Sequence, residues 1–282
     1  MSGAEARPGE TGFASVATAH FKDLQSRLCA AFEQFEPTSR FAARSWTKPQ
    51  GHPLQGGGES RLMRGEVFEK VGVNVSHVHG VLAKEARGQV AGAPESDGRF
   101  VACGISLVAH MANPYVPAVH MNLRYLSTSR AWFGGGSDLT PTFAFDEDTV
   151  AFHAALRRAC DAYRPGAYPE YKAWCDRYFY LPHRQEPRGV GGIFFDDLAS
   201  PDPSADFAFV RGVGETLLSV FPQIVARRKD TPYDQAAREQ QLVKRGRYVE
   251  FNLVYDRGTR FGFSTDADPD AYLMSLPPLV RW

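Results

Sequence analysis

Phe100-Val-Ala-Cys-Gly-Ile-Ser-Leu-Val-Ala-His110, then Asn113-Pro-Tyr-Val-Pro117, then Ala118-Val-His-Met-Asn-Leu-Arg-Tyr-Leu-Ser127 is the stretch on which the fold turns. From Phe100 to Leu123 it holds no Asp, Glu, Lys or Arg. That length suffices to cross a bilayer, but His110, Asn113, Pro114, Pro117, His120 and Asn122 interrupt it. Two buried strands with a proline-marked turn account for it better. Successive strand side chains face opposite ways. His120, Asn122 and Arg124 then share one face, and Met121, Leu123 and Tyr125 the other. On the preceding strand Ser106, Val108 and His110 fall together. Pairing through the turn predicts one polar patch: Ser106, His110, His120, Asn122 and Arg124. An arginine in such apolar surroundings needs an anionic partner. Asp138 is the expected one, in Gly134-Gly-Gly-Ser-Asp138, where glycines allow close backbone approach to a ligand. A structural Arg–Asp pair and an anion-binding arginine both satisfy this pattern.

Outward from there, apolar spacing predicts a helix over Phe13–Phe35, stopped by Pro37. Gly51–Gly65 is expected to be a loop, Val67–Leu82 a strand, and Arg87–Gly98 a connection. Trp132–Phe145 holds three glycines and then a short strand. Helices are predicted over Asp146–Tyr163, Tyr168–Tyr180, Ser204–Phe221 and Tyr233–Arg245, with a strand at Gly189–Leu198. Arg247–Tyr255 alternates like a strand, turning at Asp256-Arg-Gly258 and returning through Arg260 to Phe263. A short helix is expected near Pro269–Ser275. Hairpin-like links near residues 114, 134 and 258 predict an antiparallel sheet whose faces helices must cover. The expected class is α+β, a single domain over residues 1–282 with residues 1–12 flexible.

The 282 residues carry 32 Lys plus Arg against 32 Asp plus Glu, which argues against a whole-surface nucleic-acid or membrane binder. Hydrophobic residues make up 43 %, enough for a substantial core. Cys29, Cys103, Cys160 and Cys175 lie far apart without a C-x-x-C pair, so a cytoplasmic location is expected rather than a disulfide scaffold. The N-terminal dozen residues lack the apolar core of a secretory signal. No phosphate-binding loop, serine elbow or H-E-x-x-H helix is present, and Gly212-Val-Gly214 lacks a third glycine. His77-Val-His79, followed by Glu85, is spaced too widely for the metal motif it suggests.

Longer segments carry a resemblance. They include Gly72-Val-Asn-Val-Ser-His-Val-His79, Trp132-Phe-Gly-Gly-Gly-Ser-Asp-Leu-Thr-Pro141, Tyr171-Lys-Ala-Trp-Cys-Asp176 and Tyr178-Phe-Tyr-Leu-Pro-His183. Later come Arg188-Gly-Val-Gly-Gly-Ile-Phe-Phe-Asp-Asp-Leu198, Arg247-Tyr-Val-Glu-Phe-Asn-Leu-Val254, Asp256-Arg-Gly-Thr259 and Leu273-Met-Ser-Leu-Pro-Pro278. In this order, from about residue 60 to the C-terminus, the chain resembles the oxygen-dependent coproporphyrinogen III oxidases of haem biosynthesis.

The resemblance implies an oxidoreductase that turns two propionates of coproporphyrinogen III, on rings A and B, into vinyl groups. The product is protoporphyrinogen IX. Dioxygen is the co-substrate and no organic cofactor is implied. A flat antiparallel sheet with helices on both faces and a homodimer follow from the same likeness, with Tyr248–Trp282 contributing to the interface. By position, His120 and Asp138 are the catalytic pair. His120 matches the proton donor, a role that suits an imidazole's titration near neutrality, and Asp138 is expected to hold the pyrrole N–H groups. Ser106, Asn122, Leu123 and Arg124 match the substrate-binding segment, where a guanidinium grips a carboxylate in a fork. His110, His120, His153 and His183 match positions credited with a divalent metal in the bacterial branch. One departure stands out: where many members carry Gly-Gly-Arg, this chain has Asp266-Ala-Asp268, and Arg257 or Arg260 is expected to compensate. A histidine-ligated metal oxygenase and a non-catalytic tetrapyrrole carrier are the competing classes.

Overall fold

The computed structural model describes residues 8–264 and 268–282. In chain order the elements are α1 (Pro8–Glu33), β1 (Ala42–Thr47), β2 (Leu54–Met63), β3 (Lys70–Val81), α2 (Lys84–Arg87), β4 (Arg99–His110), β5 (Ala118–Ser127) and β6 (Ala131–Thr140). Then follow α3 (Asp146–Tyr163), α4 (Ala167–Tyr178), the short strands β7 (Tyr180–Leu181) and β8 (Glu186–Pro187), and β9 (Gly191–Leu198). The chain continues through α5 (Pro203–Arg228), α6 (Gln235–Val254), α7 (Arg257–Ser264) and α8 (Pro269–Tyr272), with a 3-10 turn over Leu273–Ser275. Seven strands form one antiparallel sheet in the order β1-β2-β3-β4-β5-β6-β9. The α+β class follows directly.

Strand alternation sorts the sheet into two unlike faces. Val71, Val73 and Val75, then Ile105 and Leu107, then Val119, Met121 and Leu123, then Ile193 and Phe195, enter the main core. There they meet Phe21, Leu24 and Leu28 of α1, Phe152 and Leu156 of α3, and Leu217, Phe221 and Ile224 of α5. The opposite face carries the polar residues of β4, β5 and β6. Its cover is α6 together with the C-terminal turn: His110 Nε2 donates to Ser275 O at 2.8 Å, and Gln241 Nε2 to Met111 O at 2.8 Å. α4 runs along the β9 edge. Tyr171 packs on Phe195 (5.5 Å between ring centroids) and Tyr178 stacks on Phe194 (4.3 Å), so one helix shields both faces of that edge.

Several sequence expectations are corrected. Arg247–Tyr255 is not a strand: α6 runs unbroken to Val254, and Arg257–Ser264 is the helix α7 rather than a returning strand. The buried set Gln241, Leu242, Arg245, Tyr248, Val249 and Asn252 repeats every three to four residues, a helical stripe that four alternating residues do not reveal. Asp256 Oδ2 accepts from Thr259 N at 2.7 Å, so Asp256-Arg-Gly-Thr259 starts a helix instead of closing a hairpin. Gly51–Gly65 is mostly β2, paired on both sides by β1 and β3. The glycines at 134–136 lie inside β6, and the chain reverses at residues 128–130, where Thr128 N donates to Arg130 O at 2.7 Å. α1 begins at Pro8, so residues 8–12 are helical; the flexibility expected of residues 1–7 lies outside the described residues.

Candidate active site

Cross-strand register builds the site in parallel rows on the polar face. One row reads Gly72, Val108, His120, Asp138, Gly192 across β3, β4, β5, β6 and β9. The next reads Asn74, Ser106, Asn122, Gly136, Phe194, and the third Ser76, Gly104, Arg124, Gly134. Ser106, His110, His120, Asn122 and Arg124 therefore share a face, as strand parity predicts, and the register of β6 adds Asp138 to it. Leu123 points the other way: it is fully buried in the α1/α5 core, and its side chain has no part in this face.

Asp138 is the centre of the first row. It is 2 % exposed, and both its oxygens are engaged. Oδ1 accepts from His120 Nδ1 at 2.8 Å, and Oδ2 from Arg188 Nη2 at 2.6 Å. Burial opposes ionisation of this carboxyl, but the Arg188 guanidinium and His120 outweigh it and hold its pKa below the usual carboxylate range. Arg188 is buried too. Burial penalises its charge, yet Asp138 keeps it raised. Its guanidinium lies 3.9 Å from the Phe179 ring centroid, 4.5 Å from Tyr248 and 4.8 Å from Phe251. Three aromatic faces thus replace water around the cation. An ionised carboxylate only accepts, so His120 carries its proton on Nδ1. The His120 side chain keeps 21 % exposure, which makes it the member of the pair that faces outward.

Asp138 is not the partner of Arg124. That partner is Asp196: Arg124 Nη2 lies 3.0 Å from Asp196 Oδ1, and Arg124 Nη1 donates to Asn122 Oδ1 at 2.9 Å. Arg257 Nη2 reaches the other Asp196 oxygen at 3.1 Å. Two arginines thus share one carboxylate and leave a positive charge unbalanced. Gly134 is needed here, because a Cβ on it would stand 2.5 Å from Asp196 Oδ1 and 2.8 Å from Arg124 Nη2. Arg257 joins the cluster, held by its own N–H donating to Tyr178 Oη at 3.1 Å. Asp266 and Ala267 lie outside the described residues. Asp268 caps α8 and pairs with Arg44 at 3.0 Å.

The four metal candidates are not brought together. His153 uses both ring nitrogens, at 3.0 Å from Val190 O and 2.9 Å from Tyr168 Oη. His183 does the same with Glu250 Oε2 at 2.7 Å and Tyr255 Oη at 2.9 Å. His110 is bound to Ser275 O, and burial drives its pKa down to about 3. Among the described residues no three His, Cys, Asp or Glu side chains are grouped to hold an ion. A four-histidine centre does not fit this arrangement, because β4, β5, α3 and the β7–β8 hairpin hold their rings on separate partners.

Arg188 and Asp196 are the partners of Asp138 and Arg124 that the sequence reading missed. Parity on Gly192, Phe194 and Asp196 was available, but nothing local places β9 beside β6.

Fold and site together define a class: an α+β protein in which a buried Arg–Asp–His relay adjoins an unbalanced cationic cluster on a polar sheet face. The sequence model of the family described as Coproporphyrinogen III oxidase matches residues 16–282. The chain belongs to that family. The oxygen-dependent coproporphyrinogen-III oxidase of Rickettsia bellii (strain OSU 85-389) is 50 % identical over 276 residues, covering 95 % of this chain and 97 % of the relative. The protein of the same name from Rickettsia akari (strain Hartford) is 51 % identical over 271 residues, 93 % of this chain and 95 % of the relative.

Proposed function

We propose that this chain catalyses the oxygen-dependent oxidative decarboxylation of coproporphyrinogen III to protoporphyrinogen IX. Each of the two reacting propionates, on rings A and B, loses its carboxylate as carbon dioxide from the α-carbon and the equivalent of a hydride from the β-carbon, leaving a vinyl group. The two electrons pass to dioxygen, which takes up the accompanying protons. The reading is carried by one observation: an unbalanced guanidinium pair and a carboxylate-backed imidazole stand on the same face, with Arg124 four residues beyond His120 on β5.

Arg124, with Arg257 behind the shared Asp196, grips a propionate. Asn122 Oδ1 is spent on Arg124, which leaves its Nδ2 as a donor to the same carboxylate. His120 faces the macrocycle with Nε2 and moves the proton. Asp138 acts through His120: it fixes the tautomer and stabilises the imidazolium, as a buried carboxylate can. This replaces direct contact with the pyrrole N–H groups, because the carboxylate is covered and both oxygens are occupied. The reduced macrocycle is electron-rich and supplies the electrons itself. A homodimer belongs to the same reading, supported by exposed apolar side chains within Tyr248–Trp282: Val254, Phe263, Leu279 and Trp282. Among the described residues no helix is long and apolar enough to cross a membrane.

The test compares vinyl product formed from coproporphyrinogen III under air and under argon. Product and carbon dioxide under air alone are expected. Macrocycle binding without carbon dioxide release under air would mark a carrier instead.

A further inference from the structure

Between α6 and the ends of β4 and β6 lies a small pocket of about 20 Å³, lined among others by His110, Thr140, Gln241 and Tyr248. His110 is 1 % exposed, Tyr248 2 % and Thr140 9 %, so their polar atoms are cut off from bulk solvent. His110 Nδ1 and Thr140 Oγ1 nevertheless have no protein hydrogen-bond partner, and Tyr248 Oη makes none of normal geometry, Asn252 being its polar neighbour. Such orphans on one pocket are costly, since each unsatisfied buried group forfeits a hydrogen bond.

The chemistry of the three atoms selects the ligand. His110 Nε2 meets a backbone carbonyl, which only accepts, so Nε2 carries the proton and Nδ1 presents a bare lone pair. The occupant must donate to Nδ1, which an anion and dioxygen cannot do. It must also satisfy two hydroxyls, which donate or accept. About 20 Å³ holds one water and little more. We infer that this pocket is a binding site for a single internal water, which donates to His110 Nδ1 and bridges the hydroxyls of Thr140 and Tyr248. The water pins the Tyr248 ring, and that ring covers Arg188 at 4.5 Å. Tyr248 is in this way a positioning residue for the Arg188–Asp138 pair.

The occupancy can be read without any activity assay. A crystal structure of the intact protein is expected to show one ordered water within about 2.6–3.2 Å of all three atoms. Nitrogen-15 spectra are expected to show His110 as the Nε2–H tautomer with Nδ1 accepting a hydrogen bond. Thr140→Val, which removes the hydroxyl at nearly constant volume, should lose the water and shift the Nδ1 signal to that of an unbonded nitrogen. A pocket that is dry and takes up xenon under pressure overturns the site, as does an Nδ1 signal indifferent to Thr140→Val. The catalytic consequence rests on the proposed function and is separate. Thr140→Val should lower kcat about threefold with KM unchanged, whereas a purely structural water would lower the melting temperature and leave kcat alone.

Discussion

At the scale of single residues, neighbours on one strand have opposite duties. Leu123 is fully buried in the core, and Asn122 lies on the polar face. Leu123→Ala should cost about 2–5 kcal/mol in a denaturant melt yet leave KM unchanged in the folded fraction. Asn122→Ala should do the reverse. Arg124→Gln removes a charge-assisted hydrogen bond of about 1.5–3 kcal/mol, so KM for the tetra-anionic substrate should rise roughly ten- to hundredfold. Asp138→Asn keeps the shape but removes the charge that orients His120; kcat should fall by about 10²–10⁴. Near-normal turnover of that variant would refute the relay. Parity alone exposes Ser106, His110, His120, Asn122 and Arg124 in the sequence, because the period of a strand is two and any register keeps it; Asp138 is suggested there only as an expected partner for the arginine. Arg188 is illegible there: it sits in a glycine-flanked link, and its meaning comes from Asp138, fifty residues away.

At the scale of elements, α6 is the piece that sequence reading handled worst and the site depends on most. It supplies Tyr248 and Phe251 around Arg188, and Asn252, whose Oδ1 lies 3.4 Å from Arg188 Nη1. Arg188→Met leaves the Asp138 carboxylate buried with His120 alone. A loss of about 3–5 kcal/mol is expected from calorimetry, and adding Asp138→Leu should recover part of it. α6 is also tied to the β7–β8 hairpin through Glu250, which accepts from Arg184 at 2.7 and 2.9 Å and from His183 at 2.7 Å. The Arg184 hydrogen bonds, ahead of a smaller opposing effect of burial, bring the Glu250 carboxyl down to about 2. A depressed acid stabilises the fold above its unfolded pKa, about 4.3, and that contribution is lost as pH falls toward 2. Wild-type stability should therefore drop across this window more steeply than that of Glu250→Gln, as followed by circular dichroism. Equal slopes would mean that the cluster adds nothing to native stability.

At the scale of the whole molecule, one sheet divides two environments. The face under α1, α3 and α5 is mainly apolar, with a few satisfied polar groups such as Gln25 and Ser137, while the face under α6 is polar and incompletely satisfied. The exposed Val254, Phe263, Leu279 and Trp282 all fall near the C-terminal end of the chain, and burying them in a second copy would remove apolar surface from water. Sedimentation should show a dimer in the wild type and a shift toward monomer for Trp282→Asp; a monomeric wild type would remove the interface.

The sequence by itself determined the period of β4 and β5, hence which of their polar side chains travel together, and its longer motifs determined the family. Local spacing suffices for both, since side-chain direction in a strand depends only on the next peptide. Tertiary structure alone decided which charges meet. Arg124 finds Asp196 rather than Asp138 because β9 docks beside β6, and Asp138 finds Arg188 because α6 closes over it. Those pairings join segments 50 to 72 residues apart, a distance over which no local pattern constrains the chain.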